Sequence, residues 1–168
     1  MDTSMIGKIQ KAKEYAQEPE RVTFNSFQAE FKGNNDTYTV TLTPEGWECT
    51  CPGYSKYRIC PHIMTLEKIF APMLKRERLA YAQGQNVISD VEKSNQYAEE
   101  LDRITLLSFD ASFQGGHNIH QVTYDNGKWD SPSSYFRLHG MCSHTIAMEK
   151  ILGGMVKPVT HLTLDESE

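Results

Sequence analysis

The chain repeats itself. Slid along its own length by 82 residues, residues 6–73 fall on residues 88–155 without a gap, and 21 of the 68 paired positions are identical. Average composition would supply roughly four. The shared positions include Tyr15/Tyr97, Arg21/Arg103, Phe27/Phe109, Phe31/Phe113, Gly33/Gly115, Trp47/Trp129, Cys60/Cys142 and His62/His144. A period of this length implies one supersecondary unit written twice. The chain is therefore expected to divide into a unit at residues 1–83 and a second at residues 84–168, joined by tandem duplication.

Each unit reads as αβββα, which makes the fold class α+β. Residues 6–17 and 88–99 have helical spacing, with Ile6, Ile9 and Ala16 on the first apolar stripe and Ile88, Val91 and Ala98 on the second. A strand follows, with Val22 and Phe24 on one rhythm and Phe27, Ala29 and Phe31 on another. That slip predicts a bulge. Gly33-Asn34-Asn35-Asp36 and Gly115-Gly116-His117-Asn118 read as hairpin turns, being rich in residues that tolerate positive φ. Tyr38, Val40 and Leu42 alternate on the returning strand, as do His120, Val122 and Tyr124. A third short strand carries Trp47 or Trp129. A helix then begins near Pro61, a residue suited to a first turn, and is expected to bury Ile63, Leu66, Ile69 and Phe70. Residues 71–85 are expected to continue helical and link the units, and residues 156–168, which end acidic, to fray.

Three of only four cysteines fall within twelve residues, as Cys49, Cys51 and Cys60, with His62 two positions on: C-x-C-x8-C-x-H. Three thiols and one imidazole make a complete tetrahedral set for Zn²⁺, the ion that favours closed sulfur/nitrogen cages. Four protein ligands leave no vacancy for a substrate, so the pattern points to a metal-stapled recognition module and one zinc per chain. At the 82-residue offset, Cys49 becomes Ser131 and Cys51 becomes Ser133, whereas Cys142 and His144 persist. Serine hydroxyls are poor zinc ligands at neutral pH, so the second unit is expected to be metal-free. There Tyr135, Phe136, Leu138 and Met141 replace Gly53, Tyr54, Lys56 and Ile59, apolar burial standing in for the metal. His139 with Cys142 and His144 would make a three-ligand site open to water, and that alternative stays, as does ligation by His117 and His120.

The first pattern resembles the SWIM zinc finger, in which C-x-C and a variable gap precede C-x-H at the start of a helix. The resemblance covers residues 49–70, with Trp47 leading in and His62 opening the run IMTLEKIF. It implies a zinc-binding module of a kind found in or beside helicase-type ATPases, transposases and recombination-associated proteins, and generally taken to bind DNA or protein.

Charge separates the units. Residues 1–83 hold 11 Lys/Arg and 10 Asp/Glu, and residues 84–168 hold 6 and 12, for a net −5 overall. The finger and the helix after it are locally cationic. Lys56, Arg58, Lys68, Lys75, Arg76 and Arg78 would meet phosphates, and Tyr54 and Tyr57 would stack on bases. The first expectation is therefore a nucleic-acid-binding accessory protein. The second is a protein-interaction adaptor, with zinc purely structural and the acidic second unit docking a partner. Homo-oligomerisation is left open. No phosphate-binding, dinucleotide, nucleophile-elbow or H-E-x-x-H motif is present, so no catalytic role is expected. The opening residues are charged and lack the apolar core of a secretory signal, and no run reaches the ~18 apolar residues of a membrane span. Cytosol or nucleoid, where thiols stay reduced, is the expected location. With 39% hydrophobic residues and 10% aromatics the chain can still fill a core.

Overall fold

The computed structural model describes residues 3–159, and within them the first unit's elements recur 82 residues later. Helix α1 is Thr3–Tyr15, and strands β1, β2 and β3 are Val22–Lys32, Thr37–Thr43 and Gly46–Cys49. Helices α2, α3 and α4 are Pro52–Tyr57, Pro61–Ile69 and Ala71–Leu74. Then come α5 (Val87–Ala98), β4 (Ile104–Gln114), β5 (Ile119–Asp125), β6 (Lys128–Asp130), α6 (Ser134–His139) and α7 (Ser143–Leu152).

All six strands form one antiparallel sheet in the order β3-β2-β1-β4-β5-β6, so a single core spans both halves. The join is β1 against β4, where Phe27 faces Phe109, the residue 82 positions later. The register shifts between Phe24 and Ser26. This is the expected bulge, and it turns both Phe24 and Phe27 into the core, where their rings meet edge to face at 5.2 Å. The bulged Asn25 donates its amide to Asp110 Oδ1 at 2.9 Å on the opposite face.

Among the described residues, helices cover one face of the sheet only. Val22, Phe24, Phe27, Ala29 and Phe31 are buried, whereas the alternate residues of β1 are half-buried or exposed. α1 packs mainly on α7, and α5 on α3. The first helix of each half thus lies on the helix that follows the other half's knuckle, and the halves interlock. Among the described residues no helix is long and apolar enough to cross a membrane.

Several expectations need correction. The apolar stripe of α1 runs through Met5, Ile9, Ala12 and Tyr15, while Ile6 and Ile88 are 55% and 76% exposed. Two short helices, α2 and α6, sit inside the knuckles, where none was expected. Helix does not continue through residues 71–85: it stops at Leu74, because Lys75 turns left-handed at φ 52°. Beyond it, the buried Glu67 carboxylate accepts the Leu79 N–H at 2.8 Å and holds the chain in an irregular path. At the other end, Val156 and Val159 are buried rather than frayed, and Glu149 accepts the Val159 N–H. The rest of the acidic end lies outside the described residues.

Candidate metal centre

Three elements deliver the four candidate ligands. Cys49 ends β3 opposite Val40, Cys51 is the N-cap of α2, Cys60 is the N-cap of α3, and His62 lies in the first turn of α3. The cap positions matter chemically. The Cys51 sulfur accepts the Tyr54 N–H and the Cys60 sulfur accepts the Ile63 N–H, each at 3.4 Å. Helix N-termini present unpaired N–H groups and partial positive charge, which favour thiolates. Pro52 and Pro61 open these helices where their missing N–H costs nothing.

All four residues are buried, and their ligand atoms lie within 4.8 Å of one another. Cys49 Sγ stands 3.8 Å from His62 Nδ1. A zinc tetrahedron with ~2.3 Å sulfur bonds has edges of ~3.8 Å, so the donor set fits the ion in kind and in spacing. Nδ1 is the nitrogen that faces the sulfurs. Nε2 points towards Gly33, where an added Cβ would come within 3.5 Å of it and within 3.1 Å of Asp36 O.

The electrostatics call for a cation. Hydrogen bonds from the Cys49 and Cys60 thiols hold Cys51 ionised, far below the usual thiol range. Its partners pay the opposite way: the bond to Cys51 pushes Cys49 up to about 11, and the bonds to Cys49 and Cys51, with burial, push Cys60 well above that. One thiolate is stable among the three sulfurs; three are stable only around a metal.

An aromatic collar fixes the imidazole. Phe31 meets His62 at 4.8 Å, Tyr38 lies at 4.8 Å, and Tyr97 stacks on it at 5.9 Å with planes 11° apart. The importance of Gly33, Tyr38 and Tyr97 was not read from the sequence. Gly33 and Tyr38 carried a signal, flanking a turn opposite the knuckle, but Tyr97 comes from the other half.

The second knuckle keeps the architecture with other chemistry. Ser133 caps α6 through the Phe136 N–H at 3.1 Å, as Cys51 caps α2. Cys142 Sγ lies 3.8 Å from His144 Nδ1. His120 lies on the returning strand as expected, in the place of Tyr38, and stacks on His144 at 3.9 Å. His139 instead lies over Tyr135 at 4.1 Å, and His117 is exposed in its turn. Among the described residues, only Cys49, Cys51, Cys60 and His62 gather as a group of three or more potential metal ligands. Met141 is fully buried, and Tyr135 and Phe136 pack against the core, but Leu138 is 73% exposed and adds no packing.

The residues expected to meet nucleic acid are dispersed. Lys56, Tyr57 and Arg58 share the C-terminal end of α2, with Lys56 Nζ 5.1 Å above the Tyr57 ring. Arg58 lies 5.5 Å over the Tyr54 ring, and the Tyr54 hydroxyl donates to Trp47 O at 2.7 Å, so Tyr54 is committed to packing. Lys68 donates to Asn95 Oδ1, Lys75 to Val22 O, and Arg76 to Thr43 O at 3.2 Å. Arg78 is exposed on the irregular stretch that includes Glu67's partner Leu79. Beside the metal centre, Gln28, Thr39, Thr41, Glu48, Ser55 and Arg58 line an open cleft of about 630 Å³.

The family model for the SWIM zinc finger matches residues 38–68, a span that contains all four ligands. No curated protein and no solved structure matches the chain. The chain therefore carries a SWIM zinc finger, in which Cys49, Cys51, Cys60 and His62 would hold one zinc ion.

Proposed function

We propose that the protein is a zinc-stabilised recognition module that binds nucleic acid along the knuckle of its first half. The observation that carries this reading is Arg58 lining the open cleft next to the metal, with Lys56 exposed two residues away; hydroxyls and the Gln28 amide line the rest, with Glu48 as the cleft's one carboxylate. Ammonium and guanidinium groups meet phosphates, and Thr39, Thr41, Ser55 and Gln28 offer hydrogen bonds to sugar and base edges. The zinc would hold β3, α2 and α3 at fixed angles and perform no chemistry, since four protein ligands fill its coordination shell. Two phosphate contacts would give a log–log salt slope of about −1.4 on single strands.

Fluorescence anisotropy with single-stranded DNA, duplex DNA and RNA over roughly 50 to 200 mM salt tests this. Lys56→Ala combined with Arg58→Asn should weaken binding and flatten the slope; asparagine tolerates the left-handed backbone at position 58, where φ is 62°. Absence of any binding at the lowest salt would end this reading.

A second reading, a protein-interaction adaptor, is favoured by the helix-free face of the sheet. Alternation along the strands places Glu30, Glu48, Asp110, Asp125 and Asp130 there against Lys32 and Lys128. Its net negative charge suits a basic protein surface better than phosphate, and because its Glu48 end borders the cleft beside Arg58, the two readings compete for one surface. The matching element bounds in the two halves support an origin by tandem duplication, with ligands kept in one copy only. Buried free thiols suit the reducing cytosol or nucleoid.

A further inference from the structure

The second half has a cleft of about 570 Å³ between the β5–β6 turn and α6, within the size range of small-molecule sites. Trp129 and Phe136 give it an aromatic wall, and Asn126, Lys128, Gly140 and Lys157 line the rest. Its main strut is rigid. Lys157 is clamped through its backbone, its N–H donating to the Tyr124 hydroxyl at 2.8 Å and its carbonyl accepting from Trp129 Nε1 at 2.9 Å. The Lys157 stem lies flat on the turn, so close that a Cβ at Gly127 would meet its Cδ at 2.8 Å. Among the described residues its ammonium reaches only Asn126 Oδ1, at 3.5 Å. Among the described residues neither Lys128 nor Lys157 forms an ion pair.

The zinc-bearing half differs at the positions that matter. There Tyr54 and Arg58 stand where the second half has Phe136 and Gly140. The Tyr54 hydroxyl bonds Trp47 O, and Arg58 covers the Tyr54 ring. Phe136 and Gly140 provide neither group, so among the described residues nothing equivalent covers the half-buried Phe136 ring, which stands beside two lysines that form no ion pair there. We propose that this cleft binds a carboxylate carried on a flat apolar body. The chemistry is shared by a free aromatic acid and by the C-terminal residue of a partner chain ending in an aromatic side chain.

The test uses the full zinc-loaded chain and follows the amide signals of Gly127 and Gly140 and the Trp129 indole N–H by NMR. The probes are 3-phenylpropionate, its amide, and a tripeptide ending in phenylalanine with a free or amidated terminus. Saturable shifts confined to these signals are expected with at least one of the free carboxylates, weakened about fivefold or more in the matching amide and in Lys157→Gln. Gly140→Arg should abolish binding. It copies Arg58 at a site with the same left-handed backbone (φ 77° against 62°), and unchanged zinc content and circular dichroism would show that it still folds. Response to 3-phenylpropionate alone identifies a small acid, and response to the free-terminus peptide identifies a chain end. No shift with any probe, equal shifts with the amides, or full binding by Lys157→Gln overturns the proposal.

Discussion

Tyr97 of α5 stacks on His62 of α3, with ring centroids 5.9 Å apart and planes 11° from parallel. The two belong to different halves, so the imidazole that closes the cage is braced from across the molecule. The reciprocal contact exists too: Tyr15 of α1 stacks on His144 of α7 at 5.9 Å and 16°. Arg21 and Arg103 reinforce both joins. Each guanidinium covers its own half's tyrosine, at 4.6 and 4.7 Å, and donates at 2.8 Å to a carbonyl of the other half, Gln114 O or Lys32 O.

Metal affinity should therefore respond to a residue far from the ligands in sequence. Tyr97→Ala is expected to weaken zinc binding about 10-fold, the scale of lost groups that orient a ligating histidine. Tyr15→Ala, its counterpart, should lower thermal stability but leave zinc affinity unchanged. Competition with a chromophoric chelator measures both.

The cysteines of the two knuckles should behave differently. Cys51→Ala removes a ligand and the α2 cap together, and is expected to lose the zinc and lower Tm by about 10 °C or more. Cys142→Ala should keep the zinc and cost about 1–2 kcal/mol, as for a small buried side chain. Calorimetry with parallel metal analysis separates the two outcomes.

What the sequence revealed, and what it hid, follows from the range of the interactions. The ligand set and the bulge at Asn25 are local and leave a local trace, in Cys and His spacing and in a slipped alternation of Phe24 and Phe27. The helices inside the knuckles span six residues each, too few to show a period, and Pro52-Gly53 reads as a breaker although Pro52 is a first-turn residue. Residues 71–85 are rich in good helix formers, yet the Glu67–Leu79 bond and the left-handed Lys75 override propensity. The Tyr97–His62 stack depends on β1 pairing with β4, a non-local choice that no window of sequence contains.

Zinc uptake should release protons. Cys51 is already a thiolate at neutral pH, but Cys49, pushed up to about 11, and Cys60, raised further, are protonated without metal. Binding therefore displaces about two protons, and the logarithm of the apparent affinity should rise by about two per pH unit near neutrality. Isothermal titration in buffers of different ionisation heats counts them. A count near zero would mean that the thiols are not the ligands.

Acid should weaken the second half through His144. Burial first, then His120, Lys8 and Lys11, push its imidazole down to about 4 from an ordinary value of 6.5. The unfolded chain takes up this proton before the folded one does. The stability tied to His144 is therefore complete above pH 6.5, falls as the pH drops towards 4, and changes no further below that. The full loss is about 3 kcal/mol at most. Denaturant titrations from pH 7 to about 4 should show a steeper decline for the native protein than for His144→Gln.

The central claim is that a single metal ion staples the first knuckle while the second folds without one. Native mass spectrometry of the intact chain, checked by elemental analysis, counts the ions directly. One zinc per chain, retained in Cys142→Ala and lost in Cys51→Ala, is the predicted result; two ions, or none, would contradict it.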